Sequence, residues 1–141
     1  MTAPMVGSAV YRTRRPVSGE WRSSEEAREL LGRARSSLAL ARSTGHGVMV
    51  EDLCMLARQT VERAVQAVLV AEGVPAPADG SIRSMLAALE DSGVEVPDRL
   101  ERAANLFPGE TPGEAVRIEK YYEAVLVATE AVRFAEARVR S

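Results

Sequence analysis

The sequence predicts an all-α fold, an up-and-down bundle of about five helices. Apolar residues recur in five segments at the 3.6-residue spacing that places them on one face of a helix. No segment alternates between apolar and polar residues for long enough to propose a strand. Aromatic residues make up only 4% of the 141 residues, so Ala, Val and Leu must fill the interior. A chain of this length favours one domain.

The N-terminal segment 1–20 is predicted to be a flexible arm, followed by a helical domain over 21–141. Pro, Gly and Ser are scattered through the arm and it has no periodicity. Trp21 is expected to hold the chain against the domain. The first helix is predicted to begin at Ser23, where Glu26 completes an S-x-x-E capping box. Its buried face is predicted to comprise Ala27, Leu30, Leu31, Ala34, Leu38 and Ala41.

The second helix is predicted over residues 50–72, with Gly73 as its end and Pro75 beyond it. At 1.5 Å per residue it would be roughly 33 Å long, so we expect it to cross the domain as a central helix. Cys54 is expected to be a small core residue, and as the only cysteine it excludes an internal disulfide and a cysteine-based zinc site. The predicted apolar face comprises Leu53, Leu56, Ala57, Thr60, Ala64, Ala67, Val68 and Ala71.

Three further helices are predicted in the second half of the chain. A short one spans 81–91, a fourth runs from Pro97 to Phe107, and the last begins at the N-cap Thr111 and ends near Arg140. Their inward residues are predicted to be Ile82, Met85, Leu86 and Leu89, then Leu100, Ala103, Ala104 and Leu106, and finally Ile118, Tyr122, Val125, Ala128, Val132, Ala135 and Val139.

Charge and hydropathy indicate which partners to expect. The net charge is −2, but residues 1–22 hold four arginines and one glutamate, which makes Arg12, Arg14 and Arg15 candidate nucleic-acid contacts of weak, salt-sensitive strength. No apolar stretch reaches the roughly 20 residues needed to span a bilayer, and no secretory leader pattern is visible, so a cytoplasmic protein without a membrane partner is expected. No glycine-rich phosphate loop or metal-ligand cluster is present, and no cofactor is predicted.

The second helix carries a motif that resembles the signature of the HEPN family. The segment 54–69 is similar to a cysteine-aromatic opening followed by a glutamine pair, alanine, glutamate and lysine, and then lysine-alanine-leucine. Gln59 falls on the second glutamine, Glu62 on the glutamate and Arg63 on the lysine. The order and sizes of the predicted helices agree with the family over about residues 23–139. The resemblance implies a small α-bundle that forms a homodimer and binds nucleotides or nucleic acid.

The resemblance also implies an activity, from which this sequence departs. Many family members are metal-independent ribonucleases, or toxins that act beside a nucleotidyltransferase antitoxin. The catalytic members have an arginine, four to six residues and then a histidine near the start of the last helix. Here Arg117 is followed by no histidine, and the only histidine is His46, in the loop before the second helix. The ribonuclease motif is therefore absent, and we predict no catalytic residues.

A polar cluster on the second helix is the candidate site for a ligand or an interface. It comprises Arg58, Gln59, Glu62, Arg63 and Gln66. Because Arg58 and Glu62 are four residues apart, they are expected to form an ion pair within the helix or across a subunit interface. The functional alternative is a phosphate or nucleotide pocket in which Arg58 and Arg63 donate bidentate hydrogen bonds.

Three functions follow from these observations as alternatives. The favoured one is a non-catalytic or degenerate domain that acts as a dimer by binding a protein partner, such as a nucleotidyltransferase, or a nucleic acid. The second is a HEPN ribonuclease or toxin with a rearranged active site. The third is a DNA- or RNA-binding protein that uses the arginine-rich arm.

Overall fold

The computed structural model describes residues 15–43, 48–106 and 118–139, and side chains from residue 23 in the first range and residue 120 in the last. Within these ranges the backbone forms five helices and no strand, which confirms the predicted all-α class. They are α1 (Arg15–Ala41), α2 (Val50–Glu72), α3 (Ile82–Asp91), α4 (Asp98–Leu106) and α5 (Ile118–Arg138). None of these helices combines the length and apolarity that crossing a bilayer requires.

The helix α2 is central, as its apolar pattern predicts. It contacts α1, α3 and α5, and ten of its 23 residues are buried. The predicted bounds 50–72 agree with the structure, where Gly73 caps the helix in the left-handed conformation at φ 71°. Cys54 is a buried free thiol, which confirms its predicted place in the core. Burial raises the pKa of this thiol and Glu51 adds to the rise, while Lys120 opposes both.

Contacts between side chains establish the directions of the three long helices. On α1 and α5, Arg35 contacts Glu136 and Arg42 contacts Thr129, so residue numbers rise on one helix as they fall on the other and the two run antiparallel. The helices α2 and α5 run parallel, since their C-terminal ends are joined by an ion pair of 3.4 Å between Arg138 and Glu72. The short helix α3 packs on α2 and on α4, and α4 packs on α5.

The predicted start of the first helix is wrong. The helix begins at Arg15 and not at Ser23, so the proposed capping box and Trp21 lie within the helix, and the last six residues of the predicted arm are helical. Pro16 is tolerated there because a proline in the first turn of a helix removes no internal hydrogen bond. The arm residues 1–14 lie outside the described part of the chain.

Most predicted core residues are buried, with two clear exceptions. Tyr122 was predicted inward but is 62% exposed, while its neighbour Tyr121 is buried. The apolar residues of α5 lie on several of its faces, so the pattern did not define which of them α1 and α2 would cover. Ala71 is also exposed, because the buried face at the end of α2 passes through Val68 and Leu69.

The remaining helix ends agree with the predictions to within about two residues where they are described. The helix α3 begins at Ile82 with Ser81 as its N-cap, and α4 begins one residue after Pro97. The helix α5 ends at Arg138, and the predicted N-cap Thr111 lies outside the described residues.

Candidate functional site

The predicted polar cluster lies along the edge of α2 that faces away from the core. At 100° per residue, Gln59, Glu62 and Gln66 project from the side opposite to the buried Ala57 and Val61. All five residues of the cluster are half-buried. They are Arg58, Gln59, Glu62, Arg63 and Gln66. Gln59, Glu62 and Gln66 therefore share the outward edge of α2, while Arg58 and Arg63 flank it on either side, about 140° apart around the helix axis.

Two of the cluster's charged residues form the ion pair expected within α2. The Nε atom of Arg58 is 3.4 Å from Oε2 of Glu62, and each side chain is 30% exposed. Such a pair one helical turn apart stabilises a helix by only about 0.3–0.5 kcal/mol. The pair neutralises the middle of the edge, which weakens the case for a phosphate pocket and favours a contact with another helix.

Arg63 connects the edge of α2 to α1. Its guanidinium donates a hydrogen bond to Oγ of Ser37, which is only 2% exposed. Thr60, which is fully buried, donates from its hydroxyl to the carbonyl of Leu56 one turn earlier at 2.9 Å. The buried hydroxyl of Ser37 on α1 is therefore satisfied from α2, and Arg63 has a structural role in the packing of the two helices.

The positions where the ribonuclease motif would place its histidine hold other residues. With four, five or six residues between it and Arg117, the histidine would stand at position 122, 123 or 124, and these positions hold Tyr122, Glu123 and Ala124. No arginine stands five to seven residues before His46 either. His46 and Arg117 lie outside the described residues, as do the arm residues Arg12 and Arg14.

Among the described residues, no group of three or more His, Cys, Asp or Glu is placed to hold a metal ion. A cavity of about 450 Å³ between α3 and α4 is lined in part by Glu90, Glu101 and Arg102. A hydrogen bond with Glu101 raises the pKa of Glu90, and the nearby negative charges of Glu101 and Asp91 add to this.

A groove between α1 and α5 was not predicted from the sequence. Its volume is about 340 Å³, with Leu38 and Val132 among its lining residues and both of them buried. Its remaining lining residues are Arg35, Ala39, Arg42, Thr129, Arg133 and Glu136. The signal in the sequence was the repeat of arginine at positions 35 and 42 of one exposed helix face, but only the packing of α5 on α1 brings Arg133 beside it.

The protein is an all-α bundle whose central helix, α2, carries a polar motif on its outward edge. The family model described as HEPN domain matches residues 27–137, which is most of the chain. The chain therefore belongs to the HEPN domain family, and the resemblance inferred from the α2 motif is confirmed. Comparisons with curated proteins and with solved structures found no match.

Proposed function

We propose that this protein is a non-catalytic, or degenerate, HEPN domain that acts as a homodimer by binding a partner. The observation that carries the proposal is the absence of a histidine at the motif positions after Arg117, which are occupied by Tyr122, Glu123 and Ala124. Without a metal, cleavage of RNA through its 2′-hydroxyl requires a base near neutral pH and a cation beside the phosphate. Arginine stays protonated and cannot replace that base.

The outward edge of α2 supports the dimeric part of the proposal. Met55 is 53% exposed, and it continues the half-buried line of Gln59, Glu62 and Gln66 at spacings of four, three and four residues. A line with this spacing is the contact surface of a helix that packs lengthwise against another helix. The two amide side chains both donate and accept hydrogen bonds, so the same edge of a second copy complements it across a two-fold axis.

The dimer is tested by sedimentation of the full chain and of two variants of α2. Met55→Glu places a charge in the proposed seam and is expected to shift the protein to the monomer. Ala71→Glu is the matched control, because Ala71 is exposed on the same helix but about 160° away around its axis. A monomeric wild type, or a dimer that Met55→Glu leaves intact, contradicts the proposed seam.

The non-catalytic part is tested by incubating the purified protein with total RNA in the presence of a chelator. We expect no cleavage above the level of a blank. Cleavage that disappears in Arg58→Ala, Glu62→Ala or His46→Ala refutes the proposal and supports a ribonuclease with a rearranged site. These residues are chosen because they are the cluster's ion pair and the only histidine.

Two kinds of partner are predicted, one from the family and one from the basic arm. The resemblance implies a nucleotidyltransferase, and the basic arm implies a nucleic acid. Deletion of residues 1–14 separates the two, because the loss of Arg12 and Arg14 should flatten the salt dependence of nucleic-acid binding by about one phosphate contact per arginine. Binding of a co-expressed nucleotidyltransferase is expected to be insensitive to this deletion.

A further inference from the structure

We propose that the groove between α1 and α5 docks an acidic amphipathic helix of a partner protein. The inference deepens the proposed function, since it names the surface and the chemistry of a protein partner. The groove is formed by α5 and by one side of α1, and Ser37 contacts α2 from the opposite side of α1. The groove is therefore separate from the proposed dimer seam on α2.

Two polar contacts between α1 and α5, one at each end, mark the length of the groove. At one end Nε of Arg35 is 2.9 Å from Oε2 of Glu136, and at the other the guanidinium of Arg42 donates to Oγ1 of Thr129 at 3.0 Å. Each end lies seven residues from the other on both helices, which corresponds to two helical turns or about 10.5 Å. Between them stands Ala39, whose small side chain leaves the cavity open.

The distance between these two contacts matches two turns of a third helix docked along the groove. A helix lying along α1 and α5 presents side chains every two turns at the same distance of about 10.5 Å, so its residues i and i+7 fall at equivalent places in the groove. The apolar side chains of such a helix would enter above Leu38 and Val132, which are buried and form the floor. This arrangement is the helix-in-groove mode of recognition.

Exposed apolar residues extend the surface beyond the groove. Tyr122 is 62% exposed and Leu126 is 55% exposed, and they precede Thr129 and Arg133 on one face of α5 at spacings of four, three and four residues. From Tyr122 to Arg133 this face measures roughly 16 Å, or three turns of a docked helix. A phosphate backbone would leave both large apolar side chains in water, whereas an amphipathic helix would bury them.

The charges of the groove select an acidic occupant. Three arginines and one glutamate line it, and the glutamate is already paired with Arg35. Within the described part of the chain, no carboxylate lies within ion-pair distance of Arg133, which is exposed beside the cavity. The N-terminal residues 1–14 contain two arginines and no acidic residue, so they do not complement this surface.

The test measures fluorescence anisotropy of a labelled, designed helical peptide of about 18 residues, a length at which helices begin to form in water. It carries leucines at i and i+7 with glutamates beside them, and it is compared with a scrambled peptide of the same composition and with a single-stranded RNA. We expect the full chain to bind the helical peptide about tenfold more tightly than the scrambled one, because only the former matches the two-turn repeat.

Two variants address the two features of the groove separately. Ala39→Trp fills the cavity and Arg133→Glu reverses the charge beside it, and each is expected to weaken binding of the helical peptide about tenfold or more. Arg99→Glu, at an exposed position on α4, is the charge-matched control and should leave binding unchanged. A peptide in which lysines replace the glutamates should bind Arg133→Glu more tightly than it binds the wild type.

Several results would overturn the inference. These are equal binding of the scrambled peptide, the absence of saturable binding, or tighter binding of the RNA that Ala39→Trp does not affect. Dissociation of the wild-type dimer by Arg133→Glu would also refute it, since the groove would then be occupied by a second copy. RNA cleavage in the earlier assay would refute the proposed function and leave the peptide result standing, so the two failures are distinguishable.

Discussion

The buried tyrosine of α5 offers the sharpest test of how the long helices pack. The hydroxyl of Tyr121 donates to the carbonyl of Ala41 at 2.8 Å in a buried environment. Ala41 is the last residue of α1, and the carbonyls of a last helical turn have no partner within their own helix. Tyr121→Phe therefore leaves a buried acceptor unsatisfied, at a cost of about 1–2 kcal/mol in the free energy of unfolding.

The adjacent residue provides a matched control for this change. Tyr122 is 62% exposed, and its ring lies 5.4 Å from the ring of Tyr121, a contact that phenylalanine preserves in either variant. We expect Tyr122→Phe to change the free energy of unfolding by less than about 0.5 kcal/mol. Both variants lose one hydroxyl, so the difference between them reports only on the buried hydrogen bond.

Thermal unfolding followed by circular dichroism measures both variants. For a domain of this size 1 kcal/mol corresponds to roughly 4 °C, so Tyr121→Phe should lower Tm by about 4–8 °C while Tyr122→Phe leaves it nearly unchanged. Equal effects of the two variants, or a larger effect of Tyr122→Phe, would show that α5 is rotated about its axis relative to the structure described above. The proposed docking surface between α1 and α5 would then be wrong as well.

Three further tests have expected outcomes of known sign. Gly73→Ala should destabilise the fold by about 1–2 kcal/mol, because Gly73 has φ 71°. Gly32→Ala inside α1 should instead stabilise the fold by about 0.5–1 kcal/mol, because a Cβ there meets no atom within 4 Å. Urea unfolding measures the free energy of unfolding of both variants. Ser37→Ala should cost about 1 kcal/mol through its lost hydrogen bond to α2, and alanine at the exposed serine before it should cost nothing. Since the pKa of Glu90 is raised in the fold, its contribution to stability is present at acidic pH and is lost as the pH rises through that pKa. Tm should therefore fall as the pH rises above the ordinary glutamate range, and Glu101→Gln should make this fall smaller than in the wild type.

The extent to which the fold could be predicted varies with the strength of the local signals. The bounds of α2 were predicted correctly because a long apolar run ends at a glycine that must adopt φ above zero. The start of α1 was missed because Pro16, Ser18 and Gly19 are typical of loops. The position of Pro16 in the first turn was the informative signal, and it was the same signal that predicted the start of α4 at Pro97.

The motif spacing predicted part of the arrangement of the polar residues on α2. The spacing of the motif on α2 was enough to place Gln59, Glu62 and Gln66 on one edge, because residues three, four and seven apart share a helix face whatever surrounds it. The hydrogen bond from Arg63 to Ser37 was not predictable in the same way. Ser37 and Arg63 are 26 residues apart on two helices joined by a loop, and this spacing does not indicate which face of α1 packs against α2.

The sequence by itself determined the α class, the extent of the central helix and the family, since each depends on residues within a few turns of one another. The packing of α5 against α1 decided the arginine-lined groove and which of two adjacent tyrosines is buried. Arg35 and Glu136 are 101 residues apart in the chain and 2.9 Å apart in space. A helix pattern specifies an apolar face, but the neighbour that covers this face is chosen by the free energy of packing all the helices together.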